Sequence, residues 1–569
     1  MLLDEWLGYP VVNYYKGLNL RLLPMNHAYV MVNTTVDDVS VYGVDKNCFN
    51  CPYKHHASLV PNEETIWMID SRYEKYWRIK GSRQKDFSQD SKQGLLCQLG
   101  ASFDEYGVYR LDIGKCEITT EVPPANTYLP LILCSVVLFG VFFVYYLVKY
   151  LWNRRKNRKN TSNEGKKVLE INVGETEDEP STLNIFRGLL LSLIIFATTG
   201  GGGYSIFLRS ENSIGLSVAE CLYFAFAWSV GFNIPTVMDK AFNQLTKRAI
   251  IKDIFSRFLV FLFVDVIINS VINRNSSNSF TPDDLWRPLL KLGIAYLVAA
   301  SAYVFTMQRF EMKSKKIICK AVSNFISLMW CWIISGFILA VIAILISTLI
   351  SLNCLSNLDM TTAVDFSKTL SEESFTCNND LMLNANIYMA NRHEEVINVH
   401  GYLGFSQGIM GQMSILMFTI IGLKAGFIYA NYETHSDRLK LWSIWAMLFG
   451  LGGIFFGAVS YPLEFNLRPI AMILLLSTMT MLSFAVVYII TEVRKLNSYI
   501  LSSAGVTFFL IFPAHMLFSN GLPFTWALNV GLEMFMSQHM KYIIYSYSMV
   551  LIWLLVSVII MKKKVTFAV

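Results

Sequence analysis

Residues 198–207 read TTGGGGYSIF, four consecutive glycines where an apolar stretch meets polar residues. Backbone without Cβ atoms lets another group approach closely and admits left-handed conformations. No Lys-Ser or Lys-Thr follows, and the run ends a long apolar segment instead of a short strand, so it is not a phosphate-binding nucleotide loop. Spacing alone makes it a turn with close backbone packing. Ionisable residues interrupt the apolar stretches, among them Arg187, Glu220, Asp265, Lys291 and His515. Such groups are costly in hydrocarbon, which makes each a candidate for chemistry or for a buried pair. Arg187 and Lys291 stand near the ends of their stretches, where a long side chain reaches back toward water. Asp265 requires a buried partner or a proton. His515, in FPAHMLFSNGLPF, is either a proton acceptor or a satisfied hydrogen-bonding residue. Cys48-Phe-Asn-Cys51 has the spacing of half a zinc site or of a redox pair, without a second pair at ligand spacing, and disulfide bonding is the alternative.

These residues need elements to hold them, and the composition names the class. Of 569 residues, 53% are hydrophobic and 16% charged, well below the charged fraction of soluble domains. A helix needs about 20 apolar residues to cross a bilayer. Eleven stretches qualify, near 128–150, 184–207, 215–236, 252–272, 289–308, 323–352, 406–430, 441–460, 469–491, 499–519 and 541–561. The expected fold is an all-α polytopic membrane protein of about eleven spans. Basic residues gather in every second loop, from NRRKNRK (153–159) to KKK (562–564), the positive-inside pattern. That accounts for the net charge of +6 without a nucleic-acid partner. Lipid is the expected surroundings, with the N-terminus luminal and the C-terminus cytosolic.

Residues 1–127 form the expected luminal domain, β-rich because YVMVNTTV and YGVYRLDI alternate as strands do. A first span over 128–151 follows, then a cytosolic linker over 152–183 that turns from basic to acidic and has little to bury. Residues 184–569 make the remaining ten-helix domain, with a luminal loop at 353–405. Cys48, Cys51, Cys97 and Cys116 fall in the N-terminal domain and Cys354 and Cys377 in the loop. Even counts on the non-cytosolic side suit disulfides. Cys354 and Cys377 are expected to pair, because no other cysteine shares their loop, whereas the pairing of the other four stays open. Cys134, Cys221, Cys319 and Cys331 are expected packing thiols. Sequons at Asn33 and Asn275 are expected glycosylation sites on the same side. MLLDEWLGYPVV has neither a basic n-region nor a sustained apolar core, so it is not read as a signal peptide; the expectation is a chain that begins after its signal or lacks its true start.

NIFRGLLLSLIIFATTGGGGYSIF followed by GLSVAECLYFAFAWSVG resembles the core of the heparan-α-glucosaminide N-acetyltransferases. GIMGQMSILMFTIIGLKAG (408–426), HMLFSNGLPFTW (515–526) and CQLGASFDEYGVYRL (97–111) extend the resemblance over nearly the whole chain. The resemblance implies a lysosomal membrane enzyme of heparan sulfate degradation. It implies acetyl passed from cytosolic acetyl-CoA to the free amine of a terminal glucosamine in the lumen, with no permanently bound cofactor. Gly201, Gly202 and Gly203 would then floor the acetyl-transfer site, and Arg187 and Lys291 would meet the cosubstrate.

The same resemblance implies departures. The family's catalytic histidine falls at Ser210, its Val-Ala-acid aspartate at Glu220, and the asparagine before the glycines at Thr198 or Thr199. The segment Asp284 to Lys291 loses an arginine and a glutamine, and Phe405-Ser406-Gln407 replaces an Asp-Pro-Glu. Glu220 and His515 are the candidate substitute bases. Three functions stay open: a transferase using one of those bases, a silent member binding a CoA-like ligand or a glycan, and a transporter. Acceptor, organelle and oligomeric state, including a homodimer, are not encoded legibly.

Overall fold

The computed structural model describes residues 6–10, 12–36, 39–45, 53–81, 95–160, 181–204, 206–207, 218–275, 288–306, 333–334, 336–338, 408–459, 468–496, 498–518 and 537–563. The chain forms two compact units. The first draws on Met1–Val173, Thr199–Gly215 and Pro523–Ser548, the second on Gly174–Thr198, Leu216–Leu522 and Met549–Val569.

The first unit contains ten strands: β1 (Tyr14–Tyr15), β2 (Leu18–Asn19), β3 (His27–Asn33), β4 (Val39–Asp45), β5 (Lys54–Leu59), β6 (Thr65–Asp70), β7 (Lys75–Lys80), β8 (Leu95–Ala101), β9 (Val108–Asp112) and β10 (Glu117–Val122). They build two four-stranded sheets, ordered β10-β9-β3-β6 and β5-β4-β7-β8. All neighbours are antiparallel except β3 and β9, where Tyr29 faces Val108 in parallel register. β-branched and aromatic residues favour these strands. Val30, Val32, Val41, Ile79, Trp77, Phe103 and Leu111 fill one core between the sheets. A disulfide joins Cys97 on β8 to Cys116, tying the two sheets together. Cys48 and Cys51 lie outside the described residues. Helix α1 (Leu129–Asn160) leaves this unit and runs through the basic stretch that the sequence assigns to a linker. Residues 161–180 are not among those described.

The second unit is helical: α2 (Ser181–Thr198), α3 (Val218–Gln244), α4 (Lys247–Asn275), α5 (Pro288–Thr306), α6 (Gly408–Asn431), α7 (His435–Val459), α8 (Arg468–Tyr488), α9 (Tyr499–Val506) and α10 (Phe508–Phe518). The final helix, α11 (Gln538–Lys562), contributes to both units. Among the described residues, five helices are long and apolar enough to cross a membrane, or six when the pair α9–α10, bent by 78°, counts as one span. The expected eleven spans are therefore not reached. Three further apolar segments, Leu129–Val144, Thr182–Thr198 and Leu289–Phe305, are shorter, α4 is interrupted by Asp253, Arg257 and Asp265, and the stretch 323–352 lies almost entirely outside the described residues. Exposed Met447, Leu451, Ile454 and Phe455 on α7 and Met479, Leu482 and Val486 on α8 form apolar surface that a bilayer covers. The protein is an integral membrane protein.

Glycine sets the closest helix contacts. A Cβ on Gly422 of α6 would strike the Trp228 carbonyl of α3, and one on Gly231 of α3 the Thr419 carbonyl of α6. Small residues that let backbones meet are the usual device where lipid removes the hydrophobic drive between helices. The Gly422→Val variant should force α3 from α6 and lower stability by about 1–3 kcal/mol. A reduced melting temperature in detergent, against an unchanged one for an exposed control on α7, is the expected result.

Candidate functional site

The glycine turn belongs to the first unit. Gly200, Gly201, Gly202 and Gly203 all take positive φ, at 103°, 52°, 72° and 79°, and the Gly203 N–H donates to the Gly200 carbonyl at 2.7 Å. An L-residue in this left-handed region is strained, which is why the sequence spends four glycines here. The turn is buried. Asn26 Nδ2 donates to the Gly203 carbonyl at 3.1 Å, Ser546 Oγ donates to the Thr199 carbonyl at 3.2 Å, and His539 Nδ1 donates to the Gly202 carbonyl at 2.8 Å.

His539, in the first turn of α11, is fully buried and its Nε2 lies 2.7 Å from Glu105 Oε2. Glu105, 6% exposed, uses its other oxygen to accept the Asn26 N–H at 2.7 Å. Tyr204 stacks on the His539 ring with centroids 4.7 Å apart, and Tyr128 stacks on Tyr204 at 5.3 Å. The Tyr204 hydroxyl donates to the Thr127 carbonyl at 2.7 Å. Neither Glu105 nor His539 was singled out in the sequence. Glu105 sits in a polar run, FDEYGVY, and His539 at the polar edge of an apolar stretch, two places where exposure is the ordinary outcome.

In the second unit His515 is 1% exposed on α10. Its Nε2 lies 2.9 Å from Thr198 Oγ1, at the end of α2. The Thr198 hydroxyl is also 2.8 Å from the Ile194 carbonyl, which can only accept. Its single proton can go there or to His515; in the first arrangement His515 Nε2 carries the hydrogen and donates to Thr198. His515 Nδ1 is then a lone pair, buried and with no hydrogen-bond partner among the described residues. Trp553 closes edge-on against the ring, with centroids 6.0 Å apart.

Arg187 is buried on α2, and its Nη2 donates to the Ser229 carbonyl at 3.4 Å. It lines a small cleft, about 10 Å³ in volume, with Asn233, Arg257, Tyr296 and Phe509. Arg257, missed in the sequence because it reads as a surface residue of α4, pairs with Asp253 at 3.0 Å. Lys291 takes no part in that cleft's lining. At 2% exposure it lies within electrostatic reach of Asp265 of α4, itself 2% exposed and also felt by Tyr223 of α3. Gln412 of α6 donates to the Lys291 carbonyl at 3.2 Å. Four helices thus meet around these two buried ionisable residues.

Glu220 is in the first turn of α3, but its side chain lies outside the described residues, as do Ser210, Cys354 and Cys377. Asn33 is exposed at the end of β3. Asn275 is the last residue of α4, its side chain not described.

A helical membrane unit with buried ionisable groups, carried with a disulfide-tied β-sandwich, defines a class of polytopic membrane protein. Two curated proteins match nearly all of the chain. The heparan-alpha-glucosaminide N-acetyltransferase of Homo sapiens is 20% identical over 598 residues, covering 95% of this chain and 88% of that protein. That of Mus musculus is 20% identical over 605 residues, with the same coverage. No family model matches. The chain is thus similar, over nearly its whole length, to two heparan-alpha-glucosaminide N-acetyltransferases.

Removing one member of a buried charge pair costs about 3–5 kcal/mol, whereas replacing both with apolar residues can be neutral. Lys291→Met should therefore lower the melting temperature sharply, and Lys291→Met combined with Asp265→Leu should recover most of the loss. Additive losses in the double variant would show that the pair is not coupled.

Proposed function

We propose that this protein binds acetyl-CoA from the cytosol and transfers acetyl to the amine of a terminal glucosaminide on the other side of the membrane, with His515 as the base. The single observation that carries this is the His515–Thr198 contact, which leaves a buried imidazole lone pair beside the residue from which the glycine turn departs in the chain. In the reaction the amine nitrogen forms a bond to the thioester carbonyl carbon, the carbon–sulfur bond breaks, and CoA leaves as a thiolate that takes a proton. An ammonium is not nucleophilic, so a positioned base must first remove a proton from it. Such a base is worth roughly 10²–10⁴-fold in rate. The Thr198 hydroxyl orients the imidazole through Nε2 and leaves Nδ1 to accept.

Arg187 and Arg257 are the proposed contacts for the charged end of the cosubstrate, since guanidinium groups bind phosphate strongly and directionally, and the small cleft they line must open to admit it. In this reading that end of α2, α3 and α4 faces the cytosol, as the basic loops suggest, and the N-terminal β unit, with exposed Asn33, faces the lumen. Lysosomal residence follows from the resemblance alone, and a homodimer is compatible with it. Glu220 stays a candidate base whose side chain the structure does not describe.

A second function, that of a silent member retaining the ligand site, is favoured by one observation: serine, at position 210, stands where the resemblance puts the family's histidine. A transporter is supported less, because inverted-repeat transporters pair their broken helices and only α9–α10 is broken among the described residues.

Expression in cells lacking the family enzyme separates the first two. The transferase should restore acetylated heparan termini, and His515→Ala should lower that activity by roughly 10²–10⁴-fold. No restoration, with acetyl-CoA binding intact in purified protein, would establish the silent member. Arg187→Ala and Arg257→Ala should each weaken acetyl-CoA binding by about tenfold, the loss of one charge-assisted hydrogen bond. Unchanged affinity in both would remove the cleft from the site.

A further inference from the structure

We infer that Glu105 and His539 are positioning residues that hold the glycine turn as a latch closed by one shared proton. The inference concerns the turn's conformation and stands whether or not the chain transfers acetyl.

Hydrogen-bond chemistry fixes the proton count. A carbonyl only accepts, so His539 Nδ1 must carry a hydrogen to reach the Gly202 oxygen at 2.8 Å. At 2.7 Å, a bare Nε2 lone pair facing a carboxylate oxygen would be repelled, so a second hydrogen lies between them. It belongs formally either to an imidazolium donating to a carboxylate or to a carboxylic acid donating to an imidazole. Both descriptions bind the same number of protons, and both close the contact. Because the pair is buried, charge-assisted bonds here are strong and their loss is expensive.

Either departure from that count opens the latch. A further proton replaces the charge-assisted bond by a weaker one to a neutral acid, whose hydroxyl leaves one full acceptor oxygen for the two N–H donors of His539 and Asn26. Removing the shared proton leaves lone pair against lone pair, or moves the hydrogen from Nδ1 to Nε2 and orphans the Gly202 carbonyl. The turn is the element that must respond, because its residues hold left-handed conformations and its carbonyls at Gly202 and Gly203 are anchored by His539 and Asn26. Asn26 is in turn held by Glu105 Oε1, so the carboxylate reaches the turn by two routes.

The titratable groups around the pair are Tyr204, stacked on the ring, Tyr106, in electrostatic contact with Glu105, and Tyr9 beyond it. Cys134 of α1 lies near Tyr204, the His27 ring donates to the Met25 carbonyl at 2.8 Å, and Lys541 is partly exposed on the same helix as His539. Burial pushes the Tyr106 phenol upward, so it stays neutral. The Tyr204 hydroxyl is committed to the Thr127 carbonyl.

Hydrogen–deuterium exchange of the full-length protein in detergent reads the turn directly, through peptides spanning 199–207 normalised to intrinsic rates at each pH. Wild type should show maximal protection in an intermediate pH window and about tenfold or greater loss on both sides, the weight of one charge-assisted bond. Glu105→Gln can still donate an amide hydrogen to neutral His539 and accept from Asn26, so it should keep the acid limb and lose the alkaline one. His539→Phe keeps the stack on Tyr204 but neither hydrogen bond, and should be unprotected at every pH. Protection in wild type that is flat across the range, or both limbs retained in Glu105→Gln, would overturn the latch. Should His539→Phe not fold, the Glu105→Gln profile alone decides.

Discussion

Burying an ionisable group without a partner costs several kcal/mol, and each unit of this protein is organised around meeting that constraint. In the helical unit Asp265 and Lys291 lie within reach of each other, and Tyr223 and Gln412 bring α3 and α6 to the same place. In the β unit Glu105 and His539 join a sandwich loop to the first turn of α11. Asp265 and Lys291 lie on consecutive helices, whereas Glu105 and His539 are 434 residues apart, so the second contact waits until distant segments have met. That contact therefore specifies tertiary arrangement more than it adds raw stability.

Glycine meets the complementary constraint, the space that backbone needs. Gly231 and Gly422 bring the α3 and α6 backbones together, and Gly188 and Gly505 do the same for α2 and α9. The run from Gly200 to Gly203 instead uses glycine for its left-handed conformations. Its carbonyls, turned inward by that geometry, become acceptors for His539 and Asn26. The same residue type thus packs helices in one unit and shapes a hydrogen-bonding turn in the other.

What the sequence made legible follows from range. Apolar stretches and alternating strands are local patterns, and they located the helices and the β region. The span count is reached only in part among the described residues, where charge interrupts a helix, as Asp253, Arg257 and Asp265 do in α4. The α9–α10 stretch is apolar throughout, but its bend at Thr507 has no compositional mark. Among the site residues, Arg187, Lys291 and His515 were visible because a charged or titratable residue stands out in an apolar stretch. Glu105 and His539 stand in polar surroundings and Arg257 stands next to the charged start of its apolar stretch, and only the fold reveals their burial or their cleft. The glycine run was visible as a motif, yet its partners on α11 and in the β unit were not, since those contacts close over hundreds of residues.

Acetyl transfer across a membrane requires one path holding a nucleotide at one face and a thioester near the other. Arg187 and Arg257 supply cation at one position, and His515 with Thr198 supplies an acceptor at another, all within the helical unit. The most direct measurement is a structure with a non-hydrolysable acetyl-CoA analogue bound. The account predicts diphosphate density against Arg187 and Arg257 and the acetyl group within hydrogen-bond reach of His515 Nδ1. An analogue bound elsewhere, or with its acetyl group remote from His515, would contradict it.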